Sequence, residues 1–381
     1  MKYWRGFLVG GIVCLFSWLV MEFAATHRVL MDMFYPYVSR MMQTYLASWS
    51  GAVNFSLWQA LVTLCVVAAV ATGVLMIVLR WNPIQWAGWV FAGCSIIFFL
   101  YTGIYGLNFY AGPLSEDVRL EVTDYTLQEL ESATLYFRDE ANRLAPDADR
   151  DTRDPEALVA KAVDGYDYLV KVESNSIFAG STVSVKLSKK LKDGVAGTTN
   201  ALTGESVVNM QAPTILIPYA ACHEMAHRMC IANDRDAHYA AYLACRANQD
   251  PTYQYIAYLM AYRTCYNTLC SMASEDGRAV ANTIHNGADP LVRSDVELLN
   301  DFYKKAGQDT MNRLHDLYNK AITDQQPLTR EESAQLCDLL VSWHIQEVAS
   351  LLDVDDDDKF DPFDETQVDI SGIVNAPATG G

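Results

Sequence analysis

Three apolar runs near the N-terminus constrain this chain more than any other feature. They cover about Phe7 to Ala25, Leu57 to Leu79 and about Trp86 to Leu107. A helix needs roughly 20 apolar residues to cross the hydrocarbon of a bilayer, and each run is close to that length. Lipid offers no partner to a free backbone group, so such runs are expected to fold as helices. The sequence therefore predicts a membrane domain over residues 1–110 with three transmembrane helices. A cleaved signal peptide is the alternative for the first run. That run is longer than a typical signal-peptide core and no clean A-x-A site follows it, which favours a retained anchor. Lys2 and Arg5 precede the first span, and Arg80 lies in the turn between the second and third. The excess of positive charge on cytoplasmic loops puts these residues inside and everything after Asn108 outside. Arg28 and Arg40 count against that orientation. The expected location is the cell membrane, multi-pass, with an extracytoplasmic soluble domain.

Between the first two spans, Met33, Phe34, Tyr37, Val38, Met41, Met42, Tyr45 and Leu46 recur at helical spacing. This predicts an amphipathic helix, lying along the membrane surface or packed on the spans. Trp49, Trp58, Trp81 and Trp86 cluster at span ends, where amphipathic rings suit the interface. After Pro113 the composition turns soluble. Thr126 and Glu129 form a capping-box pattern that opens a helix over about Leu127 to Leu144. Ala145 to Asp154 reads as a polar linker, and a second helix is expected from Pro155 to about Val172. Ser184 to Lys192 is basic and reads as a solvated face. Glu205 to Met210 reads as a strand within a glycine-containing stretch. Further helices are expected over Asp236–Cys245, Tyr253–Tyr262, Asp295–Lys304, Thr310–Ile322 and Glu331–Leu351.

The net charge of −18 argues against a nucleic-acid partner, which needs a basic face. The acid is densest after Asp353, where a disordered tail (352–381) is expected. Asp353, Asp355, Asp357 and Asp364 fall near calcium-loop positions, but Asp358 stands where the required glycine would be, and a solvated tail is the better reading. Six of the nine cysteines lie outside the spans, where an exported domain could pair some of them; no C-x-x-C pair occurs, which argues against a thiolate zinc site or redox motif.

The chemistry concentrates at Cys222-His223-Glu224-Met225-Ala226-His227. Residues four apart share a helix face, so His223 and His227 can offer two imidazoles to one metal ion. Glu224 is placed to act as general base on a metal-bound water. This H-E-x-x-H arrangement is that of zinc peptidases. Two ordinary helix histidines are the bland alternative. Pro218 suits the first turn of the motif helix. An edge strand beside such a helix pairs with peptide substrate in zincins, and the Glu205–Met210 strand falls where that idea needs it.

A catalytic zinc takes a third protein ligand and leaves one position open. Asp236 is the leading candidate, at the start of a helix after the Asn233-Asp234 break. His238 is its rival, Asp234 lies in the break itself, and Glu275 is a distant alternative. A helix N-cap would also explain Asp236. Tyr239 and His238 are candidates to steady an oxyanion, by proximity alone.

The chain resembles an uncharacterised family of bacterial membrane proteins with three N-terminal spans and an H-E-x-x-H domain. The resemblance rests on Thr203-Gly204-Glu205 through Val208-Asn209, Pro213, Pro218, Cys222 to His227 and Ala241 to Cys245. Leu107-Asn108-Phe109-Tyr110 and Asn300-Asp301-Phe302-Tyr303 also fit, and the match is expected to run from the first span to about Trp343. The family usually has Glu at the position of Asp236, followed by Ala-Asn-Phe; here the segment reads Asp236-Ala237-His238-Tyr239. The resemblance implies a mainly α fold: three spans, then a helical, gluzincin-like metallopeptidase domain (111–351) with a small β element. It supplies no substrate. The expected activity is zinc-dependent hydrolysis of a peptide or protein substrate, with His223, His227 and Asp236 on Zn²⁺ and Glu224 as base. A catalytically silent zinc-binding sensor or scaffold is the alternative, and predicts a closed site of four protein ligands. An intramembrane protease is disfavoured because Glu224, Arg228, Asp234, Arg235 and Asp236 are costly to bury in lipid.

Overall fold

The computed structural model describes residues 2–179, 185–271, 275–305 and 334–354. The expected helix over Thr310–Ile322 and the expected tail and calcium-loop positions beyond 354 lie outside them; residues 352–354, expected in the tail, end the last described helix. The first third holds α1 (Arg5–Thr26), α2 (Arg28–Gly51), α3 (Leu57–Val78) and α4 (Pro83–Ile104). Of these, α1, α3 and α4 are long and apolar enough to cross a membrane. α4 starts three residues before its expected position. The Asn82 side chain accepts the Ile84 and Gln85 N–H groups, and Pro83 fills the first helical position.

α1 and α4 run side by side in the same direction. Gly6 lies against Gly88, Cys14 Sγ donates to Ser95 Oγ at 3.2 Å, and the Phe16 and Phe99 rings are 5.6 Å apart. Small residues let the two backbones approach, as membrane helix pairs require. The end of this pair that carries Lys2 and Arg5 is therefore also the end of the α3–α4 turn with Arg80. The opposite end meets the rest of the chain.

α2 is the expected amphipathic helix, and its polar side is the buried one: Ser39, Arg40, Gln43, Ala47 and Ser50 face inward. Arg40 is not the free loop charge that weighed on the orientation. Its Nε donates to the Met229 carbonyl and its Nη1 to the Ser176 carbonyl, both at 3.3 Å.

α5 (Leu114–Asp117) leads to α6 (Leu127–Leu144), whose capping box forms as expected: Glu129 N–H donates to Thr126 Oγ1, and Thr126 N–H to Glu129. The following polar stretch is tied down rather than loose, because Arg150 pairs with the buried Asp295 at 2.8 Å. The helix expected from Pro155 is two, α7 (Pro155–Ala160) and α8 (Ala162–Lys171). Lys161 sits at the break, where Asn248 donates to its carbonyl and Asp250 pairs with its ammonium.

Three short strands, β1 (Lys186–Ser188), β2 (Gly197–Asn200) and β3 (Glu205–Asn209), form one sheet in the order β1-β3-β2. β1 is parallel to β3, with Lys186 opposite Val207; β2 is antiparallel, with Thr199 opposite Ser206. β3 is thus the central strand and not the edge expected from the sequence. β1 and β2 are the two edges, and β2 lies on the motif helix. β1 turns part of the basic stretch into structure, since Lys186 pairs with Glu205 at 3.1 Å.

α9 (Ile217–Arg228), α10 (Asp234–Ala247), α11 (Pro251–Ser271), α12 (Glu275–Asn286), α13 (Pro290–Lys304) and α14 (Leu336–Val354) complete the described fold. α11 packs across α6, α9 and α10, and around it Phe137, Tyr242, Tyr253, Tyr262 and Met225 are fully buried. Buried tyrosines find carbonyls: Tyr253 donates to Leu158 and Tyr166 to Cys222. All nine cysteines are free thiols.

One loop joins the sheet to the membrane helices. The buried Glu205 carboxylate accepts from Ser56 Oγ at 2.8 Å and from the Trp58 N–H at 3.1 Å, so it caps the start of α3. Next to it, Gly204 has φ +62°, and a Cβ there would come within 2.5 Å of the Ala47 nitrogen of α2. Gly204→Ala is expected to destabilise the full chain by at least about 1–2 kcal/mol, from left-handed strain before any clash is added. A lowered thermal midpoint in detergent would show this; an unchanged midpoint would mean that the seam does not carry the fold.

Candidate metal centre

α9 begins with Ile217-Pro218 and carries His223 and His227 on one face, with Glu224 beside them. Their rings meet edge to face, with centroids 4.7 Å apart. Cys230 turns with φ +72°, and α10 then folds back against α9. The first turn of α10 is set by Asn233, whose side chain accepts the Arg235 N–H. Asp234 and His238 then stand four residues apart on the face toward α9.

Asp234 is the residue that reaches the histidines. Its Oδ1 lies 3.3 Å from His223 Nε2 and 3.7 Å from His227 Nε2, and its Oδ2 lies 3.6 Å from His238 Nε2. Donor atoms of His223, Asp234 and His238 all fall within 4.8 Å of one another. The His223 and His238 rings are 4.2 Å apart.

Asp236, the expected third ligand, is not in this group of donor atoms and is engaged in other contacts. It is two residues on, hence about 200° around the helix. Its Oδ2 accepts the Leu114 N–H at 3.2 Å and its Oδ1 pairs with Arg235 Nε at 2.8 Å. Asp236 ties α10 to α5. Glu275 opens α12, and its side chain lies outside the described residues. Tyr239 is buried in the aromatic core against Tyr242, so it is no oxyanion candidate; His238 stays at the cluster.

The donor chemistry fits zinc. Ligands about 2.0–2.2 Å from a tetrahedral ion lie roughly 3.4 Å from each other, which is the spacing of the imidazole nitrogens from the Asp234 oxygens. His227 Nδ1 donates to the Ile231 carbonyl at 2.9 Å, so the neutral imidazole has Nε2, on the Asp234 side, as the nitrogen free to bind a metal. His223 Nδ1 and His238 Nδ1 are buried without a hydrogen-bond partner. His223, Glu224 and His227 are recessed, while Asp234 is exposed and marks the way in from solvent.

Electrostatics follow from this crowding. Burial, with His238 nearby, pushes His223 down to about 3. Burial also lowers His227, but the Asp234 hydrogen bond and the Glu224 charge outweigh it and raise that histidine overall. Although the Asp234 side chain is largely exposed, the protein packed around it works against its ionised form; the His223 and His227 hydrogen bonds outweigh this and hold it below the usual carboxylate range. Burial pushes Glu224 up to about 7, with His227 and the Thr199 hydroxyl opposing.

Sequence reasoning missed the groups around Glu224. Thr199 of β2 donates to Glu224 Oε2 at 2.7 Å. Gly197 leaves the room that the carboxylate fills, since a Cβ there would lie 2.7 Å from Oε1. It also missed Arg263, whose charge adds a small part to the lowering of His238, which burial mainly causes. Arg263 Nε donates to Asn300 at 2.8 Å and the guanidinium lies over the Tyr303 ring at 5.1 Å. The Asn300-to-Tyr303 segment, noted only as a resemblance, was the available signal.

No curated protein and no solved structure matches the chain. One family profile does, described as protein of unknown function DUF3810, over residues 31–327. The match starts within α2, not at the first span as expected, and ends before Trp343. It covers most of the sequence, including the motif helix and the sheet, and the chain belongs to the DUF3810 family.

Proposed function

We propose that this protein is a membrane-anchored zinc metallopeptidase. The observation that carries the reading is the Asp234 carboxylate at 3.3 Å from His223 Nε2, 3.7 Å from His227 Nε2 and 3.6 Å from His238 Nε2, with the buried Glu224 beside them and the edge strand β2 alongside. His223, His227 and Asp234 would hold the ion. Zinc bound there supplies a Lewis acid for the scissile carbonyl and makes water a nucleophile at neutral pH. Glu224, on the β2 side, takes the proton from the attacking water and delivers it to the leaving amine. Thr199 keeps the Glu224 carboxylate oriented. The outer edge of β2 is where an extended peptide would add as a further strand. Lys2, Arg5 and Arg80 sit on the cytoplasmic side in this reading, and the site is extracytoplasmic. α9 has 12 residues and is not among the apolar spans, which disfavours an intramembrane protease.

One observation favours a second reading. His238 Nε2 lies as near to Asp234 as the motif histidines do, so a closed structural site of four ligands is the rival.

Metal analysis of the full chain is expected to give one zinc in the wild type. Asp234→Ala should weaken zinc by more than the roughly 10–100-fold that loss of an outer-shell partner costs. Asp236→Ala should keep its zinc but lose stability, because the buried Leu114 N–H is left unpaired. His238→Ala keeps zinc if the site is open and loses it if the site is closed.

Glu224→Gln should retain zinc while peptide cleavage falls by about 10²–10⁴-fold. Gly197→Ala crowds the base and should lower cleavage by up to roughly 100-fold with metal content unchanged. Zinc without cleavage in wild type and variants alike would overturn the peptidase reading.

A further inference from the structure

α2 has its faces reversed relative to a water-soluble surface helix. Its inner face makes polar contacts: Ser39 Oγ donates to the Ile104 carbonyl at 2.7 Å, Gln43 Nε2 to the Ala201 carbonyl at 2.8 Å, and Arg40 to the Met229 carbonyl. Its outer face is apolar, with Tyr37, Met41, Tyr45 and Trp49 exposed by 60, 54, 66 and 76%. Met33 and Phe34 extend the stripe, and no charged side chain stands between Asp32 and Trp49 except the buried Arg40. Water would leave this stripe uncovered, and large exposed apolar patches mark an interaction surface. Its position selects the partner. His27 alone separates α2 from α1, and Tyr35 donates to the Gly103 carbonyl at the end of α4. The stripe therefore continues the lipid-facing surface of the spans, and its tyrosines and tryptophan suit the headgroup level.

We propose that α2 lies in the plane of the membrane, with this stripe in lipid, and fixes the His223–His227 helix at the bilayer surface. Met229 and Cys230, which Arg40 and Ser39 hold, follow His227 within three residues. On the peptidase reading, which this part rests on, the substrate is a polypeptide segment presented at the membrane surface.

The test uses the full chain in lipid nanodiscs, with a photoactivatable diazirine amino acid placed at Met41, at Tyr45, at Val67 of α3 and at Lys190. Phospholipid adducts at Met41 and Tyr45, as at Val67, are expected, with water adducts at Lys190. Water adducts at Met41 and Tyr45, or crosslinks to a second copy of the chain, overturn the placement. In a second arm, one peptide is offered free and acyl-anchored to phosphatidylcholine vesicles. Cleavage of the anchored form is expected to be faster by about tenfold or more, from effective concentration. Equal rates overturn the substrate assignment alone. Cleavage of neither removes it together with the peptidase reading, while the adduct pattern still decides the placement of α2.

Discussion

The Asn233 side chain accepts the Arg235 N–H, and this cap fixes the phase of α10. Each helical residue turns the chain by about 100°, so a start one or two residues later would rotate a different set toward α9. With the helix starting at Asp234, the Asp234–His238 face meets His223 and His227. Asp236 turns away to the Leu114 N–H. The charge balance of the centre follows: one carboxylate stands among three imidazoles, and Glu224 is left beside them with Thr199 as its hydroxyl partner.

Much of the architecture was legible because its signals are local. Span length, the Thr126–Glu129 capping box and Pro218 in the first turn of the motif helix each depend on neighbours in sequence. Which carboxylate meets the histidines was not legible to the same degree. Asp234 and Asp236 differ only in helical phase, and a cap shifted by two residues exchanges their roles. The sheet was half legible. β3 has a strand pattern, but its central position depends on β1 and β2, which are three and four residues long and carry no alternating apolar signal. Gly197 and Thr199 gained meaning only once β2 lay on Glu224. Arg40 read as a loop charge because its carbonyl partners are more than a hundred residues away.

The membrane helices and the site are built as one unit. Glu205 caps α3 from the sheet, Gly204 lets the sheet touch α2, and Arg40 closes the turn after His227. The family match begins within α2 rather than after the last span, which agrees with α2 belonging to the same unit as the motif helix. On the peptidase reading proposed above, such coupling would hold the reacting groups at a fixed distance from the lipid.

Zinc-edge X-ray absorption on the full chain, purified and loaded with zinc, tests the central claim most directly. The account predicts one tightly held zinc in a nitrogen and oxygen shell at about 2.0–2.2 Å, with imidazole scattering from at least two histidines. A sulfur shell at about 2.3 Å, or a chain that retains no zinc, would contradict it.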